Sequence, residues 1–366
     1  MNKIRVNLDK KTSASASYEI YIGQNILERI GLLIAKNKWA SRYFILTDSI
    51  VSTLHGEKVL ATLKEMDLKL DMIDFPAGEA SKNIQTLLPI INKMIDLGAD
   101  RTSALIALGG GVVGDITGFI ASIYMRGIPY IQVPTTLLAQ VDSSIGGKTG
   151  IDLPHGKNIL GTFYQPKGVF IDLAFLKTLT PQEFGNGLSE IIKCAIIEDP
   201  EFLSSLEEEA GAIRNRDITL LERIVAKACL IKKGIVEIDE TENGLRRILN
   251  FGHTFGHGIE AESGYSISHG EAVSMGMVAS AIISERLKYL PSADQQRITS
   301  LIRKIGLPDS IPKTLSTDGI LSRIKKDKKK EGDTIRFVLL KKIGMPFVNG
   351  GVPETMVRET IEMLKK

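Results

Sequence analysis

Ser103-Ala104-Leu105-Ile106-Ala107-Leu108 runs without a charge straight into Gly109-Gly110-Gly111-Val112-Val113-Gly114-Asp115. A short apolar run with no alternation is the pattern of a strand buried on both faces. Where such strands are separated by helices, they imply a parallel sheet with helices on its faces. The first half of the chain reads accordingly. Tyr43–Thr47 is a β-rich run ending at Asp48, Leu68–Phe75 is a second, and Tyr130–Val133 is a third stopped by Pro134. Helical stretches such as Ile84–Leu97 lie between them. From Thr180 the pattern changes. Thr180-Pro181-Gln182-Glu183 has the N-cap, N1 proline and N3 glutamate of a helix start. Beyond it long helical periods dominate, with one late strand expected at Thr334–Leu340. The expected division is an α/β domain over 1–179 and a helical domain over 180–366.

Composition limits the function. Lys and Arg number 46 and Asp and Glu 43, a net charge of +3. The basic run Lys325-Lys326-Asp327-Lys328-Lys329-Lys330 is interrupted by an acid and has no interleaved aromatics, so nucleic acid is not the expected partner. No stretch reaches the ~20 apolar residues of a membrane helix. Met1–Asp9 alternates like a strand and lacks the apolar core of a secretion signal. Two cysteines, Cys194 and Cys229, form no disulfide framework. A cytoplasmic enzyme of small molecules is expected.

The glycine run matches G-x-G-x-x-G at a strand–helix junction, where backbone N–H groups hold a phosphate. The acid expected about 20 residues later is missing. Phosphate cradling is therefore the expectation, against a packing turn that needs glycine. Asp48 is either a ribose ligand or a helix cap. Asp142, Lys148, Lys157 and Asn158, with Gly146-Gly147 among them and Arg126 ahead, suit an anion. Three of the five histidines, His253, His257 and His269, fall within 17 residues. His253 and His257 at i, i+4 share a helix face, as metal chelation wants. Helical phase extended backwards would add Arg246 and Asn250. Gly252, Gly256 and Gly258 would each cost about 1 kcal/mol in a helix, so they imply close approach by a backbone or a ligand. Ser268 and Glu271 have capping-box spacing. Glu190 and Lys193, three apart, read in isolation as a surface ion pair.

Taken together, these strings resemble the 3-dehydroquinate synthase family of sugar-phosphate cyclases. The pieces are Pro76-Ala77-Gly78-Glu79 with Lys82, GGGVVGD at 109–115, RG at 126–127, PTTLLAQVDSSIGGKTG at 134–150 and GKN at 156–158. They continue with GLSEIIK at 187–193, GLRRILNFGHTFGH at 244–257, HGEA at 269–272 and DKK at 327–329. The resemblance implies an N-terminal α/β dinucleotide-binding domain and an all-α C-terminal domain, with NAD and one divalent metal, zinc or cobalt. It implies Glu190, His253 and His269 as metal ligands, which leaves His257 off the metal. It implies NAD contacts at Asp48, Glu79, Lys82, Gly111, Val112, Val113, Gly114, Asp115, Thr135, Thr136, Lys148, Lys157, Phe175, Leu176, Lys177 and Thr178. Substrate or catalytic positions would be Arg126, Asp142, Lys148, Lys157, Asn158, Lys193, Lys232, Arg246, Asn250, His257 and Lys328. The implied reaction converts 3-deoxy-D-arabino-heptulosonate 7-phosphate to 3-dehydroquinate and phosphate, in a homodimer. The rivals are a related cyclase such as 2-deoxy-scyllo-inosose synthase and a metal-dependent oxidoreductase of the glycerol-dehydrogenase type.

Overall fold

The computed structural model describes residues 1–8, 17–328 and 335–366, apart from the side chains of Asp327 and Lys328. The chain divides into two compact units, Met1–Thr180 with Val225–Thr241, and Pro181–Ile224 with Glu242–Lys366. The chain passes from the first unit to the second after Thr180 and crosses twice more. Helix Ile218–Ile238 begins in the second unit and from Val225 belongs to the first.

Among the described residues the first unit has nine strands: β1 Asn2–Val6, β2 Tyr18–Gly23, β3 Arg42–Asp48, β4 Leu70–Phe75, β5 Ser103–Gly109, β6 Tyr130–Pro134, β7 Lys148–Leu153, β8 Gly156–Phe163 and β9 Gly168–Asp172. Seven form one sheet in the order β1-β2-β9-β6-β5-β3-β4, parallel except for the β1–β2 pair. Strand β5 explains its own composition. Leu105 and Ala107 pack with Leu87, Ile90 and Met94 of helix Ile84–Asp96 and with Ile116 and Ile120 of helix Gly111–Ile123. Ala104, Ile106 and Leu108 pack the other way, with Ile30 and Ile34 of helix Leu27–Asn37 and Leu63 of helix Glu57–Lys64. Both faces are dry, so the strand has no polar alternation. Strands β2, β7, β8 and β9 were not expected from the sequence. Asp9, at the end of the expected first strand, lies outside the described residues.

Among the described residues the second unit is helical, with one small hairpin, β10 Phe337–Lys342 and β11 Met345–Asn349. The late strand thus has a partner that its sequence did not announce, and Thr334 lies outside the described residues. Helix His269–Arg286 is the unit's core. Small and apolar residues from Ala272 to Ala281 are buried around its whole circumference, the mark of a helix packed on all sides. Glycines let its neighbours come close. A Cβ on Gly276 would collide with the carbonyl of Gly252, and one on Gly270 would overlap the backbone of Asn186. Helices His253–Glu262 and Pro181–Glu198 are therefore seated directly on it. The neighbour of Gly252 and Gly256 is this helix backbone, and that of Gly258 is Ile320 and Ile324 of helix Thr317–Lys328.

Candidate metal centre and dinucleotide site

Three helices of the second unit each bring one side chain to a single point: Glu190, His253 and His269, whose ligating atoms all lie within 4.8 Å of one another. Glu190 is 1% exposed. Its Oε2 pairs with the ammonium of Lys193, 2% exposed, so the pair read as a surface bridge is a core pair. Its Oε1 is buried and accepts no hydrogen bond among the described residues. The Nε2 atoms of His253 and of His269 each stand 3.7 Å from that oxygen. An orphaned carboxylate oxygen faced by two imidazole nitrogens fits a divalent metal with three protein ligands. Both Nδ1 atoms are tied back, His253 to the carbonyl of Phe251 at 3.2 Å and His269 to Glu260 at 3.3 Å.

Electrostatics agree with that use. Burial raises the Glu190 carboxyl, but Lys193 and the two histidines outweigh it and hold the group well below the usual range. Burial and then the Lys193 charge push His253 well down, keeping it neutral. Burial opposes protonation of His269 too, yet the carboxylates of Glu190 and Glu260 push it up to about 10. A proton and a metal ion thus compete for this site.

The helical stripe expected from Arg246 to His253 is not continuous. Leu245–Asn250 is a 3-10 turn, and Gly252, at φ 82°, breaks the phase before helix His253–Glu262 begins. Arg246 is nonetheless buried, and Asn250 donates to Glu242 at 2.9 Å. His257 is exposed, stands edge-on to His253 at 5.5 Å between ring centroids, and is not part of the metal cluster. The simple i, i+4 chelate is therefore not formed. Ser268 and Glu271 form the capping box read from their spacing. Lys325 of the basic run pairs with Glu354 on the surface. Lys328 ends helix Thr317–Lys328, and its side chain lies outside the described residues.

In the first unit the glycine run closes β5 and opens helix Gly111–Ile123, whose N-cap Gly110 offers no side chain to the first N–H groups. A Cβ on Gly110 would press on Thr136 at 3.1 Å and one on Gly114 on Gln132 at 2.9 Å. Packing thus accounts for part of the glycine content. The neighbouring Thr135 hydroxyl is buried without a partner among the described residues. An uncapped helix start beside an orphaned hydroxyl fits the pyrophosphate of a dinucleotide. Around it, Lys82 bridges Asp115 and Asn158, each at 2.5 Å. Burial lowers the Lys82 pKa, but Asp115 and Glu79 outweigh it and raise it, so the ammonium persists. Lys157 lies 3.5 Å from Glu79. Asp48 caps helix Ser49–Val51, accepting from Ile50 and Val51. Phe175, Leu176, Lys177 and Thr178 form one 3-10 segment, with Thr178 3.0 Å from His55.

Lys232 donates to the Asp142 carboxylate at 2.6 Å, whereas Lys233 turns to Glu237 at 3.2 Å. Lys148 starts β7 and is exposed. Arg126 is exposed too and follows Met125 in the left-handed region, φ 71° and 49°. Such backbone is uncommon for non-glycine residues. Cys194 and Cys229 are buried small side chains. Three partners escaped the sequence: Asp152, which accepts from the Asn158 N–H at 2.7 Å, together with Glu242 and Glu260. Only Glu260 left a signal, since it lies seven residues after His253 on one helix face.

Known proteins resemble this chain over nearly its full length. The N-terminal domain model of 3-dehydroquinate synthase matches residues 72–186, and the C-terminal domain model matches 187–330. A 3-dehydroquinate synthase of Acidithiobacillus ferrooxidans is 45% identical over 350 residues, covering 94% of this chain and 95% of its own. Among solved structures, a 2-deoxy-scyllo-inosose synthase complexed with carbaglucose-6-phosphate, NAD+ and Co2+ has a TM-score of 0.91 at 27% identity, covering 99% of this chain and 100% of its own. A 2-epi-5-epi-valiolone synthase from Streptomyces hygroscopicus subsp. jinggangensis, with NAD+ and Zn2+ bound, has a TM-score of 0.88 at 28% identity, covering 98% of each chain.

Proposed function

The chain belongs to the 3-dehydroquinate synthase family, and from that premise we propose how its residues carry the reaction. The enzyme is a lyase that converts 3-deoxy-D-arabino-heptulosonate 7-phosphate to 3-dehydroquinate and phosphate. The substrate is oxidised transiently at C5, loses phosphate, is re-reduced, and its ring opens and recloses by an intramolecular aldol step. When bound, NAD supplies the hydride acceptor and donor, and the divalent metal supplies a Lewis acid that lowers the pKa of a hydroxyl.

Glu190, His253 and His269 hold the metal. The observation that carries this assignment is the buried Glu190 Oε1, unbonded and faced by two Nε2 atoms. Residues 111–115, the first turn of helix Gly111–Ile123, hold the dinucleotide pyrophosphate with Thr135 and Thr136, and Asp48, Glu79, Lys82 and the 175–178 segment hold the rest of NAD. Arg126, Lys148, Lys157, Lys193, Lys232, Arg246 and Lys328 receive the carboxylate and phosphate of the substrate, with bidentate geometry open to the two arginines. Asn158 and Asn250 add hydrogen bonds, His257 hydrogen-bonds an anionic group of the substrate and relays a proton, and Asp142 orients Lys232. A cytoplasmic homodimer completes the proposal. No helix of the described residues is long and apolar enough to cross a membrane. Strand β8 exposes Ile159, Leu160 and Phe163, which suits a subunit contact.

The test is phosphate release with NAD far below the substrate concentration. Many equivalents of phosphate per NAD are expected while NADH absorbance stays nearly flat. One NADH per turnover would mean a net dehydrogenase. Turnover of glucose 6-phosphate in place of the heptulosonate would mean another cyclase.

A further inference from the structure

Glu260 lies on the same helix as His253, seven residues on, and so on the same face. It is 6% exposed. Its Oε2 stands 3.3 Å from Nδ1 of His269, whose other nitrogen, Nε2, faces Glu190 Oε1. His253 is anchored differently, with its Nδ1 3.2 Å from the neutral carbonyl of Phe251. His269 also occupies the first position of helix His269–Arg286. There the positive end of the helix dipole disfavours an imidazole that donates electron density to a cation. An anionic acceptor on Nδ1 offsets that field, fixes the tautomer with the proton on Nδ1, and makes Nε2 a stronger donor.

We infer that Glu260 is a positioning residue for the metal centre, orienting and polarising His269 so that Nε2 is the ligating atom. The inference rests on the metal assignment above. It gives helix His253–Glu262 two roles at the site, one ligand of its own and control of a second ligand on the neighbouring helix. Asymmetry follows: His269 depends on a charge, and His253 on a backbone carbonyl that no side-chain substitution removes.

Metal-free protein titrated with Co2+, followed by visible absorption and by chelator competition, tests this without any need for turnover. Outer-sphere partners of this kind change metal affinity by about 10–100-fold. Glu260→Gln, which keeps an oxygen acceptor but no charge, should bind Co2+ about tenfold more weakly with a shifted spectrum. Glu260→Ala should approach the 100-fold end. The thermal midpoint of metal-free Glu260→Gln should stay close to that of the native chain. Equal affinity and an unchanged spectrum in both variants would overturn the inference. A native protein that binds no Co2+ would instead overturn the metal assignment beneath it. A readout independent of folding comes from nitrogen NMR of histidine-labelled native protein. The His269 proton is expected on Nδ1, and a proton on Nε2 in the metal-bound state would also overturn the inference.

Discussion

The two oxygens of Glu190 have different partners, and that division sets what each nearby histidine does. Oε2 is taken by Lys193, while Oε1 faces His253 and His269. His257 shares a helix with His253 but is exposed and outside the cluster. Spacing in a sequence reports which face a side chain leaves from, not where its nitrogen ends, and this is why the i, i+4 pair read as a chelate. His253→Ala should therefore lose its metal on dialysis against a weak chelator and lose activity with it. His257→Ala should keep about one metal per chain and turn over roughly 10²–10⁴-fold more slowly, the range for a lost proton-transfer group. Metal content by atomic emission separates the two. Equal metal loss in both variants would restore the simple chelate.

At the level of elements, Glu190, His253 and His269 converge because three helices approach more closely than side chains ordinarily allow. Gly276 against Gly252, and Gly270 against Asn186, are the contact points. Gly276→Ala should separate helices His253–Glu262 and His269–Arg286. The expected cost is about 1–3 kcal/mol of stability from overpacking, with a parallel loss of Co2+ affinity. Gly234→Ala is the control. It lies in helix Ile218–Ile238, where an added Cβ meets nothing within 4 Å, and should gain about 0.4–1 kcal/mol. Urea midpoints check both, and a neutral Gly276→Ala would show that the contact is relaxed in solution. The glycines in 252–258 were visible as an anomaly in a helical stretch, and their cause, an adjacent backbone, was one of the two that the sequence left open. The buried strand β5 was legible because both of its faces are dry. Strands β7 and β8 were not, because β8 is exposed along almost its whole length and carries no core pattern. Strand β9 is as short as β6 but opens on Gly168 and ends on Asp172, residues that are depleted in strands.

At the scale of the whole molecule, the change from strands to helices after residue 179 was legible as a change of period. The return of Val225–Thr241 to the first unit was not. Helix Ile218–Ile238 is a single unbroken period, so nothing in its sequence marks the residue where its neighbours change. The returning segment is tied in by specific bonds. Lys232 pairs with Asp142, the Cys229 thiol meets the Gln140 carbonyl at 3.4 Å, and Gln165 donates to Glu240 at 2.8 Å. It also buries Val225, Ile231, Ile235 and Val236. At about 1.5–3 kcal/mol for each such side chain, the loss rivals the roughly 5–15 kcal/mol that holds an ordinary domain together. A fragment ending at residue 180 should therefore fail to unfold cooperatively, although it contains the whole seven-stranded sheet. Joining residues 217–241 to it through a flexible linker should restore a sigmoidal urea transition and dispersed amide NMR signals. A fragment of 1–180 that unfolds as sharply as the linked version would show that the returning helix rests on the sheet domain without supporting it. Asp142→Ala in the linked version provides the finer test. It removes the carboxylate from the Lys232 ammonium but leaves the bond to the Asp142 main-chain carbonyl, and with the Asp142 side chain 28% exposed it should lower stability by about 1–3 kcal/mol, the range for a hydrogen bond to a charged group.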